Sequence, residues 1–426
     1  MRRAGRAGAT VLATGLLLGL LCVASPVAGQ LLVPMDRSQE NHLKAYGLTY
    51  QVLMMGQEAE WLLNYRAGSF LIPDTDETRR LAALLGVTVQ PLAAGDLDDL
   101  RGEIETANME SVPLEKPPRI AVYTPPNSSP WDDAVTLALM YAEIPYEKVW
   151  DREVLYGGLE RFDWLHLHHE DFTGQYSKFY LTYAAAPWLQ EEVARNQAMA
   201  DELGYSSVPL LKKAVAVALR DYVQEGGFLF AMCTATETLE LALAAGDTDI
   251  AATFADGTPP DLGAAEQLDW THAMAIAGAA LVMDPTLSAF SDIDGHQVNT
   301  PWRKPLGSFT LFDFSAKFDP VPAMLTQSHD RVLRDFYGLT TSFRRERLRP
   351  SVTVLAEELG TGRVKYLHGE HGDGTFTYLG GHDPADPRHL IGDPPTDLDL
   401  RRHSPGYRLI LNNILFPAAK KKKLKT

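Results

Sequence analysis

Short runs of consecutive apolar residues alternate with stretches of helical spacing over most of this chain. Arg119–Tyr123, Tyr146–Trp150 and Phe162–His168 read as buried strands, with a helix over Trp131–Ala142 between the first two. Val208–Glu225 carries Leu211, Val215, Leu219, Tyr222 and Val223 on one face and ends at Gly226-Gly227. A further buried strand, Phe228–Met232, follows directly. Ser351–Ala356, Arg363–Leu367 and Thr375–Leu379 continue the strand pattern, and Tyr407–Leu415 reads as a closing helix. Fully apolar strands alternating with helices predict an α/β fold with a mostly parallel, doubly wound sheet covered on both faces.

Ahead of that region, residues 30–117 predict a smaller N-terminal α/β domain. Glu60–Tyr65 and Ser69–Ile72 are strand-like around the turn Arg66-Ala67-Gly68. Asp76–Leu85 has helical spacing and stops at Gly86, and Val87-Thr88-Val89 reads as a strand. Glu115-Lys116-Pro117-Pro118 reads as a linker into a main domain over 118–416, interrupted by an irregular insertion at about 246–350. Within the insertion, Ala273–Met283 reads as a buried helix and Arg344-Arg345-Glu346-Arg347 as a solvated helix face.

The ends of the chain differ from the rest. Arg2, Arg3 and Arg6 precede an apolar run, Val11–Val23, and the small residues Val27-Ala28-Gly29 precede Gln30. This is the order of a cleavable secretory signal over 1–29, and it predicts an exported protein. The run is shorter than a spanning helix requires, so no transmembrane segment is expected. Cleavage before Gln30 removes Cys22 and leaves Cys233 as the one cysteine, with no internal disulfide. A net charge of −16 repels phosphate backbones and argues against nucleic-acid partners. Residues 417–426 form a basic tail, read as a solvated end.

Two segments carry candidate chemistry. In Phe228–Glu237 an apolar strand ends at Cys233, small residues flank it, and a helix begins at once. Such an elbow exposes a nucleophile at the strand's carboxyl end, beside backbone N–H groups of Thr234 and Ala235 that suit an oxyanion. A small buried core thiol fits the same spacing. In Gly374–Pro384 a strand delivers Gly380-Gly381-His382-Asp383, where His382 suits a general base. Taken alone, the segment reads first as a structural histidine capping a loop, with Asp383 as a turn or N-cap residue. A third cluster, His166-Leu167-His168-His169-Glu170-Asp171, ends the third strand, and His166 and His168 share one strand face. With His368, Glu370, His371 and Asp373 just before the His382 strand, this predicts a pole where His166, His168, His169, Glu170 and His371 are candidate divalent-metal ligands. Otherwise no cofactor is expected. Trp131 and Asp132, which open a helix, are candidate pocket residues together with His168, His169 and Glu170.

The Cys233 elbow and the strand ending in His382 resemble the class I glutamine amidotransferase-like fold, which is of flavodoxin-like type. Gly380-Gly381-His382-Asp383 and Tyr222-Val223-Gln224-Glu225-Gly226-Gly227 are similar to its trehalose-utilisation branch. Leu31–Asp36, His166–Gly174 and Pro405–Asn413 are similar to a family of exported proteins labelled asparagine synthetase B. The resemblance implies the amidotransferase-like core over roughly 118–245 and 351–416. Where the family's base lies in His-x-Glu, Pro384 stands two residues after His382, so the orienting carboxylate falls to Asp383 or Asp386.

The resulting expectation is a thiol-dependent amide hydrolase acting on C–N bonds through Cys233 and His382. Two alternatives stand beside it: a non-catalytic sugar- or peptide-binding protein, and a metal-dependent hydrolase on His166–Asp171. A thiol sealed from solvent and out of hydrogen-bond reach of His382 favours binding.

Overall fold

The computed structural model describes residues 29–128, 133–294, 307–319, 322–385 and 393–420. Among these, the strands form two sheets in a mixed α/β arrangement. The first is antiparallel and five-stranded, built from β1 (Gln30–Val33), β2 (Ala59–Leu63), β3 (Ser69–Pro73), β4 (Gln90–Leu92) and β5 (Glu110–Leu114) in the order β4-β1-β3-β2-β5. The hairpin of β2 and β3 pairs Trp61 with Phe70, and its tight link is where the chain bends through positive φ at Arg66, Ala67 and Gly68. The predicted helix Asp76–Leu85 forms, with Thr75 capping it and Gly86 in the left-handed region ending it. The strand expected at Val87–Val89 lies three residues later, as β4.

The second sheet has nine strands: β6 (Ile120–Tyr123), β7 (Glu147–Val149), β8 (Trp164–Leu167), β9 (Phe228–Met232), β10 (Ser308–Leu311), β11 (Val332–Arg334), β12 (Thr353–Glu358), β13 (Val364–His371) and β14 (Gly374–Leu379). Their order is β11-β10-β12-β13-β14-β9-β8-β6-β7. Only the half running from β14 to β7 is parallel. The other half is antiparallel, because β13 and β14 are joined by the two-residue link Gly372-Asp373 and a link that short can only reverse the chain. The mostly parallel sheet expected from the apolar strands is therefore corrected to a mixed one.

Alternate side chains of β9 enter opposite cores. Phe228, Phe230 and Met232 pack with the helices His42–Met54, Ala134–Tyr141 and Pro405–Leu415, while Leu229 and Ala231 pack with the helices Pro187–Leu203 and Val208–Gln224. The first of these cores also takes in Leu31, Trp61 and Phe70 of the first sheet, so the two sheets share hydrophobic packing across the helices between them. Gly47 makes that contact close: a Cβ there would sit 1.9 Å from the carbonyl oxygen of Ala142.

Helix Cys233–Ala245 is buried along its whole length, and its two carboxylates are used as backbone acceptors and anchors. Glu240 receives the N–H groups of Ala275 and Ile276 (each 3.1 Å) and the Tyr378 hydroxyl (2.6 Å). Ala273–Met283 is consequently not the buried helix its composition suggested. It runs extended, with Ala277 N–H bonded to Arg347 O and Arg349 N–H to Ala275 O, both at 2.8 Å. Arg345–Arg347 forms a single 3₁₀ turn, with Arg345 on Glu357 and Arg347 on Asp292. No helix among the described residues is long and apolar enough to cross a membrane. Residues 1–28 of the signal-like segment and 421–426 of the tail lie outside the described residues. The tail's first residues, 417–420, are docked rather than free, with Ala419 bridged to Leu114 and Lys420 on Glu115.

Candidate functional site

Cys233 stands where β9 turns into its helix, and the turn is strained in the way an elbow requires. Met232 is extended, and Cys233 takes φ of 48°, a left-handed conformation uncommon for a residue with a Cβ. Thr234 and Ala235 occupy the first helical turn, whose N–H groups have no partners within the helix. The Sγ atom has two polar neighbours, the Leu339 N–H at 3.3 Å and the Thr234 hydroxyl at 3.5 Å.

A strap, Tyr337–Thr340, lies across this corner. Gly338 is wedged between the two candidate catalytic groups: a Cβ on it would be 2.6 Å from Cys233 Sγ and 3.1 Å from His382 Cδ2. The strap is pinned by His382 N–H to Tyr337 O (2.7 Å), Gly381 N–H to Thr340 O (2.8 Å) and the Thr340 hydroxyl to Glu237 (2.7 Å). Cys233 is 1 % exposed beneath it, while the His382 side chain keeps 20 % of its surface open.

His382 is held by its neighbour in sequence. Its Nδ1 lies 3.0 Å from Asp383 Oδ2. Burial disfavours charge on the ring, but Asp383 and then Cys233 outweigh it and push the imidazole up to about 9. The carboxylate sought from sequence is thus present as Asp383. Asp386, the other candidate, lies outside the described residues, as do Trp131 and Asp132.

The His166–Asp171 cluster reaches the same rim, since β8 is parallel to β9 and ends level with it. His168 and His169 stand against His382 with ring centres 5.1 and 5.7 Å away. Below them, His166 Nε2 and His168 Nδ1 lie 3.2 and 3.4 Å from the two oxygens of Asp133. Asp133, His166 and His168 form a cluster whose ligand-type atoms lie within 4.8 Å of one another. Burial opposes charge on Asp133, yet His168 and His166 keep its carboxyl below the ordinary range. Glu170 turns instead to the His168 N–H (2.8 Å), and burial raises it to about 7. Asp171 gathers the N–H groups of Thr173, Gln175 and Ser177 and so shapes the next loop. A cavity of about 250 Å³ opens here, lined by Asp133, His168, His169, Glu170, Trp150 and Lys212 among others.

His371 does not join this cluster, which corrects the expectation. It pairs with Gly374 at the start of β14, and β14 runs parallel to β9, so His371 sits at the opposite rim from Cys233. His368 is buried midway with its Nδ1 on Thr377. Glu370 and Asp373 line a larger cavity, about 990 Å³, at that far rim. Neither Cys233 nor His382 borders it. Asp133 was not singled out as a ligand from sequence; its signal was the Trp131-Asp132-Asp133 start of a helix placed directly after a buried strand.

No family model matches this chain, and no curated protein matches it. Among solved structures, it is similar to two cytoplasmic proteins of Salmonella typhimurium, STM3548 and STM1381. Each is 10 % identical and covers 71 % of this chain and all of its own, with TM-scores of 0.35 and 0.36. A β-galactosidase from Bacillus circulans sp. alkalophilus is 11 % identical, with TM-score 0.28 over 67 % of this chain and 30 % of its own. At these scores the likenesses bear no weight on function.

Proposed function

We propose that this chain is an exported, class I amidotransferase-like protein that hydrolyses an amide or related C–N bond through Cys233. The observation that carries the reading is the strained backbone at Cys233, φ 48°, at the end of a central strand and the start of a buried helix. A core thiol has no need of that conformation. A nucleophile does, because the turn presents Sγ at the rim of the sheet.

In this reading His382 rests as an imidazolium that holds the thiol's proton, and Asp383, 3.0 Å from Nδ1, fixes the ring and stabilises that charge. Sγ then forms a bond to the substrate's carbonyl carbon. The oxyanion takes hydrogen bonds from the N–H groups of Thr234 and Ala235. His382 returns the proton to the departing amine as the C–N bond breaks. Water, deprotonated by the same ring, cleaves the thioester to a carboxylic acid and restores the thiol. The strap over Cys233 has to lift at Gly338 for a substrate to enter. Cys233 is sealed and its Sγ bonds to the Leu339 N–H and the Thr234 hydroxyl rather than to His382, which is the outcome expected of a binding protein. The Asp-oriented histidine and the strained elbow are what favours hydrolysis over binding. Wild-type protein incubated with an amide library should gain an acyl mass on Cys233, and Cys233→Ala should neither gain it nor turn over. Full turnover by Cys233→Ala overturns the reading.

A second reading, metal-assisted hydrolysis, is favoured by the Asp133–His166–His168 cluster. A divalent ion there would activate water for the same class of bond without the thiol. It predicts turnover that survives Cys233→Ala and is lost on chelation.

A further inference from the structure

His166 is fully buried on β8, and its Nδ1 lies 3.0 Å from the carbonyl oxygen of Phe230. A carbonyl only accepts, so Nδ1 carries the hydrogen and Nε2 of the neutral ring presents a lone pair. That lone pair faces Asp133 Oδ2 at 3.2 Å, a second acceptor. His168 Nδ1 faces the other oxygen of Asp133 at 3.4 Å. Asp133 Oδ2, His166 Nε2 and His168 Nδ1 are all buried without a hydrogen-bond partner. Asp133 Oδ2 and the bare Nε2 of His166 are two buried acceptors turned on one another beside the His168 ring, an arrangement that a cation between them would satisfy.

The surroundings are built for one. Asp133 Oδ1 receives the N–H groups of Val135 (2.6 Å) and Thr136 (3.2 Å) as the cap of helix Ala134–Tyr141, so the helix orients the carboxylate and leaves Oδ2 unused. The Phe230 carbonyl does the same for His166, selecting the tautomer with a bare Nε2. Ligand atoms around a tetrahedral zinc ion with bonds of 2.0–2.1 Å stand about 3.3 Å apart. His166 Nε2 is 3.2 Å from Asp133 Oδ2, and the three ligand-type atoms all lie within 4.8 Å of one another, the 3.4 Å contact of His168 Nδ1 being to the capping oxygen Oδ1. Two imidazoles and one carboxylate suit a borderline divalent ion rather than calcium or magnesium.

We propose that Asp133, His166 and His168 form a binding site for one divalent transition-metal ion of the zinc type, with its remaining positions open to the 250 Å³ cavity beside Glu170. The proposal deepens the second reading above and does not involve Cys233. His169, Glu170 and His371, expected as ligands from sequence, are not part of it.

The test uses untagged full chain, stripped with chelator and titrated with Zn²⁺ by calorimetry, with elemental analysis of the dialysed product. Binding of one ion per chain and a higher melting temperature are expected. Asp133→Asn, whose amide oxygen can still cap the helix, should weaken binding at least about tenfold, while His371→Ala at the far rim should leave it unchanged. Should Asp133→Asn not fold, the visible spectrum of wild-type protein with one equivalent of Co²⁺ decides: intense d–d bands support the site, and the spectrum of the aqueous ion overturns it. No retained zinc, or equal affinity in Asp133→Asn, also overturns it, and leaves the buried pair as a protonated imidazole on a carboxylate. Zinc bound by wild type and lost in Asp133→Asn, with hydrolysis the same in both, supports the site and removes metal-assisted hydrolysis instead.

Discussion

The amide of Leu339 donates to Sγ of Cys233 across 3.3 Å, so the candidate nucleophile is capped by the backbone of a segment more than one hundred residues further on, |i−j| of 106. The contact explains how a lone thiol persists without being buried in hydrocarbon alone. It also makes Gly338 the most sensitive position of the strap.

Replacing Gly338 with alanine should lift the strap. Its φ of 150° suits glycine, and the added methyl would lie 2.6 Å from Cys233 Sγ. A stability loss of roughly 1–3 kcal/mol is expected, together with faster alkylation of Cys233 by iodoacetamide. Unfolding midpoints and peptide mapping check both, and a variant identical to wild type in each would mean the strap does not rest on the thiol.

Acid should loosen the seam between the first sheet and the rest. His42 is stacked on His329 at 4.0 Å, and His42 Nδ1 meets His403 Nδ1 at 3.0 Å. His329 accepts from the buried Arg408 through Nδ1 (3.2 Å), so it cannot gain a proton there without losing that contact. Burial, followed by the neighbouring charges of Arg408 and the other histidines, holds His42 down at about 3; burial and Arg408, partly offset by Asp330, hold His329 at about 4. Both are depressed below 6.5, so the unfolded chain binds more protons in the window between. Their contribution is complete above pH 6.5 and is lost as pH falls towards 4, with a slope of at most about 1.4 kcal/mol per pH unit for each histidine. Urea midpoints across pH 4–7 should fall accordingly, and His42→Gln should flatten the slope. A flat profile in wild type would contradict the assignment.

The cavity wall depends on an ion pair. Lys212 Nζ lies 2.8 Å from Asp151 Oδ2, both residues are buried, and the Tyr123 hydroxyl donates to the same carboxylate. Asp151→Ala would strand a buried ammonium and should cost about 3–5 kcal/mol. Thermal unfolding measures it; a loss under 1 kcal/mol would mean the pair is open to water.

Phe228–Met232 and the elbow after it were legible because five apolar residues running straight into a helix admit few other folds. The helix His42–Met54 was not, since ten of its thirteen residues are buried and the polar face that marks an amphipathic helix is missing. Strand direction was equally hidden. Alternation of side chains is the same in a parallel and an antiparallel strand, and the strand read as Arg363–Leu367 in fact runs on to His371, so the two-residue link that reverses the chain was hidden and His371 went to the wrong rim. Ala273–Met283 looked helical by composition, but its backbone partners are the Glu240 carboxylate and residues 347–349, contacts that exist only in the folded chain. The same holds for Asp133, whose partners come from β8, a strand about thirty residues away. Local geometry was legible where one segment carried it, as in the turn at Cys233 and the His382-Asp383 pair, and illegible where separate segments met.

The most direct test of the central claim is the rate at which Cys233 is alkylated at neutral pH in wild type and in His382→Gln, with peptide mapping to separate it from Cys22. If His382 draws the thiol proton, the substitution should slow the reaction by about tenfold or more. Equal rates in the two proteins would mean that the imidazole does not act on the sulfur, and the thiol would have no assigned chemistry.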